Sequence, residues 1–278
     1  MKQVGFIGAG SIAEAMIKGV IQNQLLQPED IWVTNAANQA RLLGLQTKYD
    51  VNITSPGDLS FVEHADVIVL AFKPKDIMNG LERLKPFNLK GKCIVSVIAG
   101  VPTRLIEDTL NEAELSVIRT MPNTSCAVGE SATAITPGRW VKNQDLINIR
   151  RLFEAVGIVE EVEESHMDAI TGLSGSGPAY VYYMIEALVE AGVKTGLEKE
   201  IVQRLVYQTV VGAARMLQEA EEDPAALREH ITSPAGTTAA GIAVLAERNF
   251  PQAIVDAVCK ATDRAHELGL VYQSELSD

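Results

Sequence analysis

The sequence predicts two fold classes in series, an α/β half built on a doubly wound parallel sheet and then an all-α half. Three observations carry this. Short apolar β-type runs alternate with helical stretches up to about residue 162, the strand signal stops after Glu164, and the first strand leads straight into a glycine turn and a helix. Domains are therefore expected at 1–162 and 163–278.

In order along the first half, strand-like runs occupy 4–7, 31–34, 67–72, 93–98, 115–119, 132–136 and 158–162. Helical stretches occupy 13–24, 38–49, 77–84, 103–111 and 143–156. Short buried strands separated by helices imply a parallel sheet covered on both faces. In the second half, 165–173, 178–195, 199–222, 224–231, 238–248 and 251–268 read as helices, several of them opened by Pro178, Pro224 or Pro251. The 180–191 stretch carries Val181, Met184, Ile185, Leu188 and Val189 with few charges. A helix apolar around much of its girth must be covered, which points to an oligomeric interface or, alternatively, to core packing within one chain.

Composition narrows the function classes. The chain has 278 residues, 47% apolar and 22% charged, as in an ordinary globular protein. A net charge of −12 argues against a nucleic-acid partner and against docking to anionic lipid. Cys93, Cys126 and Cys259 are widely spaced with no CxxC pair, so buried reduced thiols are expected and a metal site is not. No run approaches the roughly 18 apolar residues of a membrane span. Glycines and Glu14 interrupt the apolar N-terminus, so the expectation is a cytoplasmic protein.

The opening motif carries chemistry. Gly8-Ala9-Gly10-Ser11-Ile12-Ala13 is GxGxxA between a strand and a helix. Gly8 permits the tight turn, Gly10 admits a pyrophosphate to the backbone, and Ala13 packs close to the strand. The free N–H groups of the new helix then face the phosphates. An NAD site wants a carboxylate at the tip of the second strand, but Val33-Thr34-Asn35-Ala36-Ala37-Asn38 has none. Asn35 is a candidate for bonding a 2′-phosphate, while Arg41 stands a helical turn or more away. NADPH is favoured and NADH stays open. Ala71-Phe72-Lys73-Pro74 and Val97-Ile98-Ala99 end two further strands, where ligands of open parallel sheets sit.

Two glycine–serine turns stand in the helical half, Ser174-Gly175-Ser176-Gly177-Pro178 and Ser233-Pro234-Ala235-Gly236-Thr237-Thr238. Each is expected to offer main-chain N–H groups at a helix N-terminus, which suits a carboxylate. The histidines (64, 166, 230 and 266) are scattered outside glycine turns. Without a strong proton donor, reduction of a C=N bond is better served than reduction of a ketone.

These residues resemble the pyrroline-5-carboxylate reductases over essentially the whole chain. The matching stretches are 5–10, 65–74, 121–124, 168–180, 192–197 and 232–238. The runs 171–180 and 233–238 are far more specific than the opening glycines. The resemblance implies a Rossmann-like domain, a helical domain that makes a homodimer or higher homo-oligomer, and hydride transfer from NAD(P)H to 1-pyrroline-5-carboxylate, giving L-proline. It implies a substrate carboxylate held at Ser233, Gly236 and Thr237, with the Thr238 hydroxyl near the ring nitrogen, and it places Glu221 near the pocket. Cofactor contacts would fall on Ile7, Gly8, Ala9, Gly10, Ser11 and Ile12, on Asn35, on Ala71, Phe72, Lys73 and Pro74, and on Val97, Ile98 and Ala99. Relatives often carry a basic residue at Ala36, an asparagine at Asp58, a proline at Ser125 and a glycine at Ala235. Ala235 is mild if φ is negative and awkward if φ is positive.

Competing readings are a reductase of the six-membered imino acid, a non-catalytic nucleotide-binding paralogue, and a hydroxyacid dehydrogenase. The last needs a catalytic lysine, for which Lys194 and Lys199 are the candidates.

Overall fold

A computed structural model describes residues 2–274 of the chain, with side-chain surroundings through 270. Residue 1 and residues 275–278, the outer ends of the two expected domains, lie outside the described residues.

Eight strands form one sheet: β1 Val4–Ile7, β2 Ile31–Thr34, β3 Asn52–Ile53, β4 Val67–Leu70, β5 Cys93–Ser96, β6 Ser116–Met121, β7 Ser131–Pro137 and β8 Gly157–Glu161. Their order is β3-β2-β1-β4-β5-β6-β7-β8. Ile7 lies opposite both Thr34 and Leu70, which aligns the carboxyl ends of β2, β1 and β4. The first-half helices are α1 Ser11–Gln22, α2 Gln39–Tyr49, α3 Ile77–Glu82, α4 Thr103–Leu110 and α5 Asn143–Glu154.

β1 and β4 are buried along their whole length because helices cover both faces. Alternate residues therefore feed two cores. Val4, Phe6 and Val69 pack with Met16, Ile17, Leu42, Ile149 and Phe153 from α1, α2 and α5. Ile7, Ile68 and Leu70 pack with Ile77, Leu81, Leu105 and Ile106 from α3 and α4.

Two features depart from the sequence pattern. β3 is a two-residue edge strand, too short to give a periodicity signal. β7 runs antiparallel to β6, with Met121 opposite Ala134. The link between them, a 3-10 turn at Thr124–Val128 closed by Gly129 at φ +77, is shorter than the dozen or so residues a parallel crossover needs. β8 returns parallel to β7 through α5.

The second half is helical: α6 Met167–Ile170, α7 Gly177–Lys194, α8 Lys199–Glu219, α9 Pro224–His230, α10 Thr237–Glu247 and α11 Phe250–Ser274. The compact units do not divide where the strands stop. One comprises the residues to Pro178 together with those from Cys259 onward, and the other is Ala179–Val258. Side chains explain the difference within the first unit. Arg119 of β6, 3% exposed, pairs with Glu164 Oε1 at 2.8 Å and with Asp168 Oδ1 at 3.1 Å. Asn123 Nδ2 donates to the Ser174 carbonyl at 3.0 Å. At the other end of the chain, a Cβ on Gly100 (φ +74) would come within 2.9 Å of the Ala265 carbonyl, so α11 runs against the loop after β5.

Candidate active site

The carboxyl ends of β1, β2, β4 and β5 open onto one cleft of about 750 Å³. It is lined by Gly8–Ile12, by Asn35, by Ala71–Pro74 and by Val97–Ala99, so the sequence-derived cofactor residues are brought together with one exception. Ile7 does not line the cleft; it is 8% exposed and belongs to the core beneath the turn.

The two motif glycines act differently. Gly8 sits at φ +121, and a Cβ there would lie 2.2 Å from the Ala71 carbonyl oxygen, so the close approach of the chain just after β1 to the chain just after β4 excludes any side chain. Gly10 is free of that pressure, since a Cβ on it would meet nothing nearer than the same oxygen at 4.0 Å. The space above Gly10 is open cleft. Gly10 is also the N-cap of α1, and no side chain caps that helix. The first N–H groups of α1 thus keep their donor capacity beside open space, which is what a pyrophosphate requires. Of the loop residues, Phe72 packs against Gly80, where a Cβ would come 2.4 Å from its ring, and Lys73 is exposed with an ammonium unpaired among the described residues.

Beyond the expected set, Ala36, Ala37, Asn38, Arg41, Lys75 and Asp76 also line the cleft. Arg41 is the instructive one. It is the third residue of α2, and helical side chains lean toward the N-terminus, so it reaches back over the loop instead of away from it. Its Nε donates to the Ala9 carbonyl at 2.8 Å, and it pairs with Glu14 at 2.5 Å. That leaning was the signal that could have placed it. Asp58 does not line the cleft and accepts from Ser60 N at 2.8 Å.

Both glycine–serine turns lead into a helix, the first into α7 at Gly177 and the second into α10 at Thr237. Residues Thr171–Gly175 form a wide π turn that continues α6, and Ser176 N donates to the Thr171 carbonyl at 2.9 Å. The Ser176 amide, one of those expected there as an anion trap, is thus taken up by the π turn. The second turn does open α10, whose N-cap Gly236 has no side-chain cap. Gly236 N donates to the Ser233 carbonyl at 3.0 Å, which closes the turn. Ser233 Oγ folds over Gly236, where a Cβ would sit 2.5 Å from it. The Thr237 and Thr238 amides, in the first turn of α10, have no intrahelical acceptor, so they and the Ser233 hydroxyl are the donors left to a ligand. The partly buried Thr238 hydroxyl is unpaired among the described residues. Ala235 adopts φ +58, the awkward case. Glu221 is exposed in the bend between α8 and α9 and is unpaired among the described residues.

Other candidates are engaged elsewhere. Lys194 is exposed and pairs with Glu190 on its own helix. Cys93 and Cys126 are buried and Cys259 is exposed, all three free, and burial pushes the Cys93 thiol up to about 12. Among the described residues no cluster of three metal-ligating side chains occurs, and no helix is long and apolar enough to cross a membrane.

Residues 164–268 match the family model described as pyrroline-5-carboxylate reductase dimerisation, and residues 3–100 match NADP oxidoreductase coenzyme F420-dependent. Pyrroline-5-carboxylate reductase 2 of Bacillus subtilis is 41% identical over 268 residues, covering 96% of this chain and 95% of the relative. The crystal structure of Plasmodium falciparum pyrroline carboxylate reductase with NADP bound superposes with a TM-score of 0.88 at 30% identity, covering 96% of this chain and 98% of that one. A pyrroline-5-carboxylate reductase from Coxiella burnetii gives 0.83 at 37% identity, with the same coverage. With likeness of this order along nearly the whole of both chains, this chain belongs to the pyrroline-5-carboxylate reductases, NAD(P)-dependent oxidoreductases with a helical dimerisation domain.

Proposed function

We propose that this chain reduces the C=N bond of 1-pyrroline-5-carboxylate to give L-proline, with NADPH preferred over NADH. The observation that carries the reading is a pair of uncapped helix N-termini. One, at α1, stands under open cleft at Gly10, and the other, at α10, is framed by the Ser233–Gly236 turn. Each suits one anionic part of the reactants, a pyrophosphate and a carboxylate.

When bound, the reduced nicotinamide supplies the hydride for the imine carbon. The chain's own work is orientation. Ser233 Oγ and the Thr237 and Thr238 amides hold the substrate carboxylate, and the Thr238 hydroxyl lies toward the ring nitrogen. There it hydrogen-bonds the imine and then the product amine. A protonated imine already attracts hydride, so positioning and water exclusion supply most of the rate without a strong acid. Glu221 has an outlying place in this scheme, since no contact draws it to the 233–238 turn. The free thiols suit a reducing compartment, the cytoplasm.

The test is oxidation of NADPH and NADH, followed separately with 1-pyrroline-5-carboxylate, its six-membered homologue and a 2-keto acid. Turnover should be fastest with the five-membered imino acid and negligible with the keto acid. Comparable turnover of the keto acid would overturn the reading. One extra methylene is worth only about 1–3 kcal/mol of discrimination, so modest turnover of the homologue is expected. Thr238→Ala should lower kcat while leaving the cofactor KM within about twofold, and an unchanged kcat would remove Thr238 from its role.

A further inference from the structure

The loop after β2 is where this fold meets the adenosine ribose, and where an acidic residue selects NAD or a nearby arginine accepts the 2′-phosphate of NADP. Here the loop offers no carboxylate, and its Asn35 amide is already committed. Asn35 Oδ1 accepts from Ala37 N at 3.1 Å and from Asn38 N at 2.7 Å, while Nδ2 donates to the Asn38 carbonyl at 2.8 Å. All three bonds would have to open before this side chain could serve a ligand.

Arg41 is placed differently. The Asn38 side chain accepts from its backbone N at 2.9 Å, which anchors the start of α2 at the cleft edge. The guanidinium is fixed through Nε to the Ala9 carbonyl and through one terminal nitrogen to Glu14. Its other terminal nitrogen is unpaired among the described residues, and the side chain is 36% exposed at the cleft. Glu14 does not neutralise the group, because it also accepts from Lys48 Nζ at 2.9 Å and from Tyr49 OH at 2.9 Å. Arg41, Lys48 and Glu14 therefore carry one net positive charge. The other charges lining the cleft, Lys73, Lys75 and Asp76, follow β4, on the opposite side of β1 from β2.

We propose that Arg41, braced by Glu14 and the Ala9 carbonyl, reads the 2′-phosphate of NADPH and sets this enzyme's choice between the two nicotinamide cofactors. The inference rests on the dinucleotide reading of the cleft and assigns its specificity to a helix residue in place of a loop residue. A fixed, planar guanidinium with a spare N–H edge matches a phosphate better than a mobile lysine does.

The test is calorimetric titration of the full chain with 2′,5′-ADP and with 5′-AMP, which differ only in the phosphate at issue. Wild type should bind 2′,5′-ADP about tenfold or more tightly than 5′-AMP, the scale of a charge-assisted hydrogen bond. Arg41→Ala should abolish most of that ratio while leaving 5′-AMP within about twofold, and Arg41→Lys should restore part of it. In turnover, Arg41→Ala should raise the KM for NADPH by a clearly larger factor than the KM for NADH. A ratio that survives Arg41→Ala, or both ligands weakening equally, would overturn the assignment while leaving the dinucleotide site standing. Failure of wild type to bind either nucleotide would overturn the site itself, and the assignment with it.

Discussion

Ala235 holds a left-handed backbone at φ +58 inside the turn that opens α10. A Cβ in that region costs about 1–2 kcal/mol, whereas glycine costs about 0.5–1 kcal/mol of extra unfolded-state entropy. The balance favours glycine. Ala235→Gly should raise stability by up to about 1 kcal/mol, measured as an upward shift of the urea midpoint. Gly8→Ala should do the reverse, because the new methyl would strike the Ala71 carbonyl, and it should raise the cofactor KM as the turn deforms. Glu14 carries a pH dependence. Its hydrogen bond from Lys48 pulls the carboxyl down to about 2 from 4.5, burial opposes this, and Arg41 and Tyr49 add to the lowering. A depressed folded value means the unfolded chain takes up the proton first on acidification. The stabilisation is thus complete above pH 4.5 and is lost as pH falls through about 2. Glu14→Gln should flatten the urea midpoint against pH between those limits. An unaltered profile would show that the cluster contributes no acid-sensitive stability.

At the scale of elements, one buried cation ties several segments of the first unit together. Arg119 on β6 holds Glu164 and Asp168, Glu164 Oε2 also accepts from Thr103 Oγ1 at 2.6 Å at the start of α4, and His266 Nδ1 of α11 lies 3.3 Å from Asp168 Oδ2. Arg119 is almost fully buried, but its partners are partly exposed and can rehydrate. Arg119→Leu should therefore cost about 3 kcal/mol, the low end for breaking a buried pair, read from urea unfolding. The π turn at Thr171–Gly175 belongs to the same region. Asn123, which also caps the 3-10 turn through Ser125 N at 3.0 Å, meets the Ser174 carbonyl there. The glycine–serine composition of 174–178 reads as a turn that opens a helix, and α7 does begin at Gly177, while Ser174 and Gly175 close the π turn that precedes it.

At the scale of the whole molecule, the second unit buries little of itself. α7 has no buried residue and α8 only Val202, while Tyr183 is 79% exposed, Leu205 58% and Val244 55%. So much exposed apolar surface marks an interface, in line with the dimerisation domain to which this half belongs. Paired charges on α7, Tyr183→Glu with Leu188→Glu, should shift the homo-oligomer toward monomer in sedimentation and lower its thermal midpoint. The wild-type midpoint should rise with concentration. An oligomer of unchanged size and melting would place the contact on other helices.

The sequence by itself determined the order of strands and helices, the glycine turn and the α10 turn, because these depend on local periodicity and on backbone freedom within a few residues. It also marked residue 162 as the last strand-like position. Only the tertiary structure decided where the packing units divide, that β7 runs antiparallel, that Ile7 is core, and that Arg41 faces the cleft while Asn35 is locked. Those outcomes depend on which distant groups meet, and on the direction in which a helix projects its side chains, neither of which spacing along one chain contains.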